Sequence, residues 1–334
     1  MTQQMYFAIP GDLNARTGGY GYDRRLLVEL RKRGLLVEHI ELDASFPFPE
    51  ANALQQTERV FAELPDQSLV LVDGLAFGAM AQCAMRHSKR LRLVALCHHP
   101  LALESGLGPI QQQAFLESER IALQCARAVI VTSANTASTL TELFAIPSSD
   151  ITVAQPGTDS VDFAPCAGEP PVLLSVATLT RRKAHDVLID ALTTLADLPW
   201  QARFVGGAQF DVQWGQKLGQ QISAAGLDSR IHLVGSVEDL ASEYLNADIF
   251  VLPSRYEGYG MVFAEALAYG LPIVAARAGA VADVVPESAG CLVPVEDVQA
   301  LAQALRMLLT EPEVYAQLRA GAQAAAKRLS TWQD

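Results

Sequence analysis

Residues Ile249 to Pro272 read IFVLPSRYEGYGMVFAEALAYGLP, three pieces in succession. The apolar run Ile249–Leu252 has the length and branching of a buried parallel strand, and Pro253-Ser254 stops it. A glycine-rich turn follows, Glu257-Gly258-Tyr259-Gly260. Met261 to Tyr269 then carries a helical pattern, closed by Gly270 with Pro272 just beyond, the usual stop signal.

Within that helix Val262, Phe263, Ala266 and Leu267 fall on one face, which packs inward, while Glu265 projects beside Met261 and Ala268 on another. One carboxylate thus stands in the turn and a second about a turn into the helix. Between them the unbonded N–H groups of the helix start face the C-terminal edge of a sheet. Such a place attracts phosphate, and nearby carboxylates accept hydrogen bonds from sugar hydroxyls. On pattern alone, a strand, a turn and an amphipathic helix with two solvated glutamates fits equally well.

Spacing separates the two readings. Glu257 and Glu265 enclose seven residues, with glycine at 258 and 260. This resembles the glutamate, seven residues, glutamate signature of retaining glycosyltransferases, and PSRYEGYGMVFAEALAYGLPIVA is similar to the family 4 version. The resemblance implies an α/β chain of GT-B architecture, two Rossmann-like domains whose parallel sheets face across a cleft. It also implies a nucleotide diphosphate sugar as co-substrate, with no other cofactor.

Composition agrees with a globular enzyme and excludes other classes. The chain has 334 residues, half of them hydrophobic, enough for two domains with their own cores. Lys plus Arg number 25 against 37 Asp plus Glu, a formal charge of −12, which argues against binding nucleic acid through its phosphate backbone. The five cysteines, Cys83, Cys97, Cys125, Cys166 and Cys291, are scattered and odd in number, as expected of buried thiols in a reducing cytoplasm. No basic segment precedes an apolar core at the N-terminus, so a secretory signal is not expected. The most apolar long window, Leu69 to Met85, contains Asp73 and Gln82 and breaks at Gly74 and Gly78, so it reads as a buried strand and a helix.

Apolar runs alternate with helical patterns along the chain, which predicts βαβ units in mostly parallel, doubly wound sheets. Strands are expected at 5–9, 36–42, 70–72, 93–97, 129–131 and 151–154, and helices at 22–33, 76–87, 109–126 and 135–144. The stretch 155–171, rich in proline and glycine, is the expected linker between domains at 1–154 and 172–334. Beyond it, strands are expected at 172–177, 202–206, 231–234, 249–252 and 272–276. Helices are expected there at 185–197, 212–225, 238–246, 260–269, 297–309 and 313–328.

Ligands of such sheets gather at the C-terminal strand ends, which draws attention to three further segments. Arg16-Thr17-Gly18-Gly19-Tyr20-Gly21 reads as a loop between the first strand and its helix, where glycine lets backbone approach a ligand. It departs from the dinucleotide fingerprint, which places G-x-G-x-x-G directly after the strand. His98-His99-Pro100 follows a strand and sets a histidine at its end, either as a ligand contact or hydrogen-bonded to backbone. Arg181-Arg182-Lys183 sits at a strand-to-helix junction, as a solvated turn or as counter-charge to a diphosphate.

The resemblance gives these residues roles. It implies that Gly18 and Gly19 lie against the donor's phosphates and sugar, and that a histidine contacts the sugar; the register favours His98, with His99 the alternative. Lys183 takes the lysine position of the family's phosphate-binding segment, with Arg182 beside it. Many members carry Gly-Arg where this chain has Ala177-Thr178, so that cation must come from Arg181 or Arg182. Backbone around Val237 is implied at the nucleotide base, where a plain strand-end turn is the other reading. Glu265 would hold the ribose hydroxyls and Glu257 a sugar hydroxyl, while Gly258, Tyr259, Gly260 and Met261 line the sugar and phosphate.

No metal is expected, because the sequence has no Asp-x-Asp pair, and Asp186 with Asp190 and Glu296 with Asp297 read as solvent-facing. The chain stops at Ser330–Asp334, about where family members begin a last helix that returns to the first domain, so the linker is expected to do most of the joining. Donor sugar and acceptor are not legible. The helix at 22–33 is both basic and apolar, which suggests peripheral contact with an anionic membrane or a buried face with solvated arginines. The expected place of work is the cytoplasm, at the inner face of the membrane if that contact is made. Two other functions fit the same architecture: a nucleotide-sugar-binding subunit without transfer activity, and an epimerase or phosphorylase.

Overall fold

A computed structural model describes residues 4–334. Its contacts divide the chain at Pro156/Gly157 into two units. In the first, six parallel strands, β1 Gln4–Pro10, β2 Leu36–Leu42, β3 Leu69–Asp73, β4 Arg92–Cys97, β5 Ala128–Val131 and β6 Ile151–Val153, lie in the order β2-β1-β3-β4-β5-β6. The connecting helices are α1 Gly18–Lys32, α2 Ala51–Glu63, α3 Gly74–Phe77, α4 Ala81–His87, α5 Pro109–Gln124 and α6 Ala134–Phe144. The chain leaves β1 for β2 on one side and returns for β3 on the other, which puts the switch point of the sheet at the C-terminal ends of β1 and β3. Central strands are buried on both faces, and Phe7, Phe61, Phe77 and Phe144 fill the space beneath the helices.

The second unit repeats the plan. Its strands are β7 Val172–Val176, β8 Gln201–Val205, β9 Ile231–Gly235, β10 Ile249–Leu252, β11 Ile273–Ala276 and β12 Gly290–Val293, in the order β12-β11-β10-β7-β8-β9. Its helices are α7 His185–Thr193, α8 Val212–Ala224, α9 Leu240–Leu245, α10 Met261–Ala268, α11 Val281–Val284, α12 Val298–Thr310 and α13 Pro312–Ala326. Here the switch point falls between β7 and β10, paired in parallel through Ile249↔Leu173 and Phe250↔Leu174. One face of the sheet packs against Trp200, Trp214 and the apolar sides of α7, α8 and α12, the other against Phe263, Tyr244 and α13.

Residues 157–171 are bonded onto this second unit. Ala164 N–H donates to the Tyr269 carbonyl at 2.8 Å, and the buried Asp248 carboxylate accepts from Gly168 N–H at 3.1 Å and Val172 N–H at 2.7 Å.

Several elements differ from the sequence expectation. Gly18 and Gly19 do not form a loop: Thr17 caps the helix by accepting from Tyr20 N–H, so α1 begins at Gly18. The expected helix at 76–87 is two, α3 and α4, because Gly78 to Met80 turns where α5 comes close; a Cβ on Gly78 would stand 3.2 Å from Glu119 Cγ. The cations of α1 make bonds within the unit, with the Lys32 side chain still 62% exposed. Arg24 donates to the carbonyls of Leu13 and Ala15, Arg31 to that of Val37, and Arg25 and Lys32 both pair with Glu29. Among the described residues no helix is long and apolar enough to cross a membrane.

Candidate active site

The loops after β7 and β10 meet at the switch point of the second sheet, and the charged residues of both are tied together there. After β7 the chain makes a single 3-10 turn, Arg181–Lys183, and Ala184 takes a left-handed conformation before α7. That turn aims Lys183 Nζ at Glu257 Oε1, 2.6 Å away, while Arg182 Nη1 lies 3.5 Å from Glu257 Oε2 and donates to the Tyr256 carbonyl at 3.1 Å. Ser254 Oγ, fully buried, donates to the same Oε1 at 2.6 Å. Burial alone would raise the Glu257 carboxyl, but Lys183 and Arg182 outweigh it and hold the group below its ordinary value. A buried, ionised carboxylate thus faces two cations.

Arg255 locks the frame. Its N–H donates to the Arg182 carbonyl at 2.8 Å, and its guanidinium forks onto Asp186 at 3.1 and 2.9 Å and also bonds Glu296. Asp186, its side chain 21% exposed, is therefore an anchor of this arginine rather than a solvated carboxylate, while Glu296 keeps 53% of its side chain in solvent, as its sequence surroundings suggest, and bonds the arginine from there. Its partners lie 41 and 69 residues away along the chain, so no local pattern marks Arg255.

Gly260 adopts φ 88° as the N-cap of α10, and a Cβ there would press on the Phe263 ring at 2.6 Å. This left-handed residue lets Glu257 turn inward while the amides of Gly258, Tyr259, Gly260 and Met261 stand at the helix start. Gly279 approaches from the loop after β11, so close that a Cβ would lie 2.2 Å from the Glu257 carbonyl, and Ala280 N–H donates to that carbonyl at 2.9 Å.

Glu265 points elsewhere. It accepts from Tyr244 Oη at 2.8 Å, and burial pushes its carboxyl up while Tyr244 works the other way. Tyr244 stacks on Tyr269 with centroids 4.9 Å apart. Val237, after β9, joins the apolar cluster that also holds Tyr244, Tyr259 and Val262. The two glutamates of the signature thus belong to different environments, one among cations and one against a tyrosine and an apolar wall.

In the first unit the two histidines separate. His98 Nε2 lies 3.2 Å from Asp23 Oδ1 and 3.3 Å from Asp73 Oδ2, and a Cβ on Gly19 would rest 3.6 Å from its ring. His99 instead meets Glu104 Oε2 at 3.1 Å. Gly18 has open space around it. Neither aspartate stood out in the sequence; Asp73 ends β3 and caps α3 through Leu75 N–H, and Asp23 lies in a run of arginines.

Two family profiles match the chain, "Glycosyltransferase Family 4" over residues 22–161 and "Glycosyl transferases group 1" over residues 170–311. A D-inositol 3-phosphate glycosyltransferase from Saccharomonospora viridis is 30% identical over 250 residues, 69% of this chain and 58% of that protein. A mannosylfructose-phosphate synthase from Agrobacterium fabrum is 32% identical over 179 residues, 48% of this chain and 39% of its own length, so the chain spans about half the length of these curated relatives. Among solved structures, sucrose-phosphate synthase from Thermosynechococcus elongatus superposes with a TM-score of 0.82 at 22% identity, covering 98% of this chain and 96% of that one. Anabaena HepE in complex with UDP and glucose gives 0.76 at 20% identity, over 98% and 96%. Profiles that take in both units, on an architecture shared from end to end with GT-B enzymes, place this chain in glycosyltransferase family 4, the group 1 glycosyl transferases.

Proposed function

We propose that the chain is a retaining glycosyltransferase that moves a sugar from a nucleotide diphosphate sugar to an acceptor, without a metal ion. The observation that carries this reading is the pairing of Lys183 and Arg182 with buried Glu257 at the switch point, beside the start of α10. Two cations and an oriented helix end offer the leaving diphosphate its counter-charge, and stabilisation of that charge supplies most of the catalysis. Arg182 reaches the same carboxylate as Lys183, which suits it to replace the cation missing at Thr178. Glu257, bound by Lys183, Arg182 and Ser254, makes a weak nucleophile and a good acceptor for a sugar hydroxyl. The departing phosphate itself then takes the acceptor's proton, on the face from which it leaves.

Glu265 serves the ribose hydroxyls in this reading, with Tyr244 fixing its rotamer. His98 serves the sugar, and His99, engaged with Glu104, is given no role in it. Five free thiols suit a reducing compartment, the cytoplasm, where nucleotide sugars are the donors at hand.

The test is donor turnover with a panel of nucleotide diphosphate sugars, the anomer of the product read by NMR. Lys183→Ala should lower kcat by about a hundredfold to a thousandfold while KM changes less, the size of losing one preorganised charge. Excess EDTA should leave the rate unchanged. Wild-type turnover in the Lys183 variant, an inverted product, or a collapse restored by Mg²⁺ would each overturn part of the assignment.

A further inference from the structure

Three elements of the first unit converge on one imidazole. Asp23 comes from α1, Asp73 from the end of β3 and His98 from the residue after β4, with the two carboxylates 1% and 2% exposed. One nitrogen, Nε2, faces both carboxylate oxygens at 3.2 and 3.3 Å. Asp73 is fixed independently, because its Oδ1 accepts the Leu75 N–H at 2.9 Å, and the Tyr22 ring meets the imidazole edge-on at 5.4 Å. The ring therefore has little freedom to rotate. Among the described residues no hydrogen bond is made at Nδ1, and the side chain keeps 20% of its surface.

We propose that Asp23 and Asp73 are positioning residues that hold His98 as an imidazolium, its Nε2–H committed to them, so that Nδ1–H is presented as a charged donor to a hydroxyl oxygen of the donor sugar. The inference rests on the proposed transferase reading for its target, though not for the charge state itself.

The Nε2–H shared between two acid oxygens excludes a neutral ring protonated at Nδ1, whose Nε2 lone pair would face two carboxylates. Between the two states left, the neutral Nε2–H ring and the imidazolium, a pair of carboxylates within 3.3 Å of one nitrogen favours the charged one. Burial opposes the charge on His98, yet the aspartates more than offset it and raise the imidazole to about 10. Asp23 is itself pushed up to about 6, by burial first and by Asp73, with His98 acting against both. Of the other titratable groups facing this place, the tyrosines and the thiol stay neutral: burial raises Tyr20 and Tyr22 of α1 to about 12, and Cys97 of β4 is also raised. Asp12, in the loop before α1, adds to the negative field at Tyr20.

The consequence differs from that of an ordinary strand-end histidine. A neutral imidazole would offer a ligand either a lone pair or an uncharged N–H and would lose or gain its proton near neutral pH. The held imidazolium offers a charge-assisted donor across the whole physiological range, roughly twice as strong as a neutral one.

The charge state can be read in the resting protein. Full-length chain with isotope-labelled histidine is titrated by NMR from pH 5 to 9, before and after EDTA, with His98 identified by the signal absent from H98Q. Wild-type His98 should remain an imidazolium throughout, and in Asp73→Asn and Asp23→Asn its titration should fall by more than one pH unit. Transfer rates should follow: level for wild type between pH 6 and 8.5, but falling about tenfold over that span in Asp73→Asn, with Asp23→Glu closer to wild type.

A wild-type His98 that titrates near 6.5 overturns the proposal even if neither variant folds. So does a titration unmoved by both substitutions, or His98 signals that change on adding EDTA, which would put a metal where the proton is assigned. Absence of transfer with every donor would instead count against the transferase reading and leave the titration result standing.

Discussion

Glu119 is a carboxyl with 1% exposure whose Oε2 accepts the Leu101 N–H at 2.9 Å, and burial pushes it up to about 8. A carboxyl raised on folding binds a proton that the unfolded chain has released. Its contribution is intact below the unfolded value near 4.5, weakens as pH rises and levels off above about 8. Glu119→Gln keeps an acceptor for Leu101 and removes the ionisable group. Its thermal midpoint should exceed that of the wild type at pH 8.5 and should not exceed it at pH 5; a wild-type advantage at pH 8.5 would show that Glu119 is ionised in the folded chain without penalty. Residues such as this mark the limit of sequence reading. Lys183 and Glu257 were legible because each sits in a local pattern, a cation run at a strand end and a glycine-flanked carboxylate. Ser254, Arg255, Asp23 and Asp73 were not, since what makes them matter is a partner that only the sheet order brings near.

Among the elements, those with a full apolar strand or a wide apolar helix face were read correctly to within a few residues, and the site loops were placed with them. The ones missed carry a narrow or short signal. Helix α2 buries only Ala53, Thr57 and Phe61 in an otherwise polar run and has no side-chain cap, while α11 and β12 are four residues each. Glycines in the site separate two roles that sequence treats alike. At Gly279, φ is 55° and a Cβ would stand 2.2 Å from a backbone oxygen, so Gly279→Ala forces the Glu257 turn to shift. We expect it to lower stability by about 1–3 kcal/mol and to weaken nucleoside diphosphate binding in calorimetry. Gly18 lies in the first turn of α1 with nothing within 4 Å of its missing Cβ. There Gly18→Ala should stabilise the chain by about 0.5–1 kcal/mol. If it also depresses transfer, Gly18 leaves room for the donor; full activity would assign the glycine to no ligand.

For the molecule as a whole, the division at Pro156/Gly157 gives each unit a sheet and a core of its own, with Phe61 and Phe77 central to one and Trp200, Phe250 and Phe263 to the other. Cores that share no residues need not lose stability together, and a ligand stabilises the part of the protein that binds it. In the proposed function the nucleoside diphosphate, without its sugar, is held by Lys183, Arg182, the α10 start and Glu265, all in the second unit. Saturation at about a hundred times Kd is worth about 2.7 kcal/mol. That increment should appear in hydrogen exchange as slower opening of β7, β10 and α10, while β1, β3 and β4 exchange as they do in the free chain. The intact donor is expected to act differently, because His98 is proposed to meet its sugar, so protection should then extend to the residues around His98 and Gly19. Equal protection of both sheets by the nucleoside diphosphate alone would place its binding determinants outside the residues named here, and protection of the first sheet only would reverse the assignment of the two units.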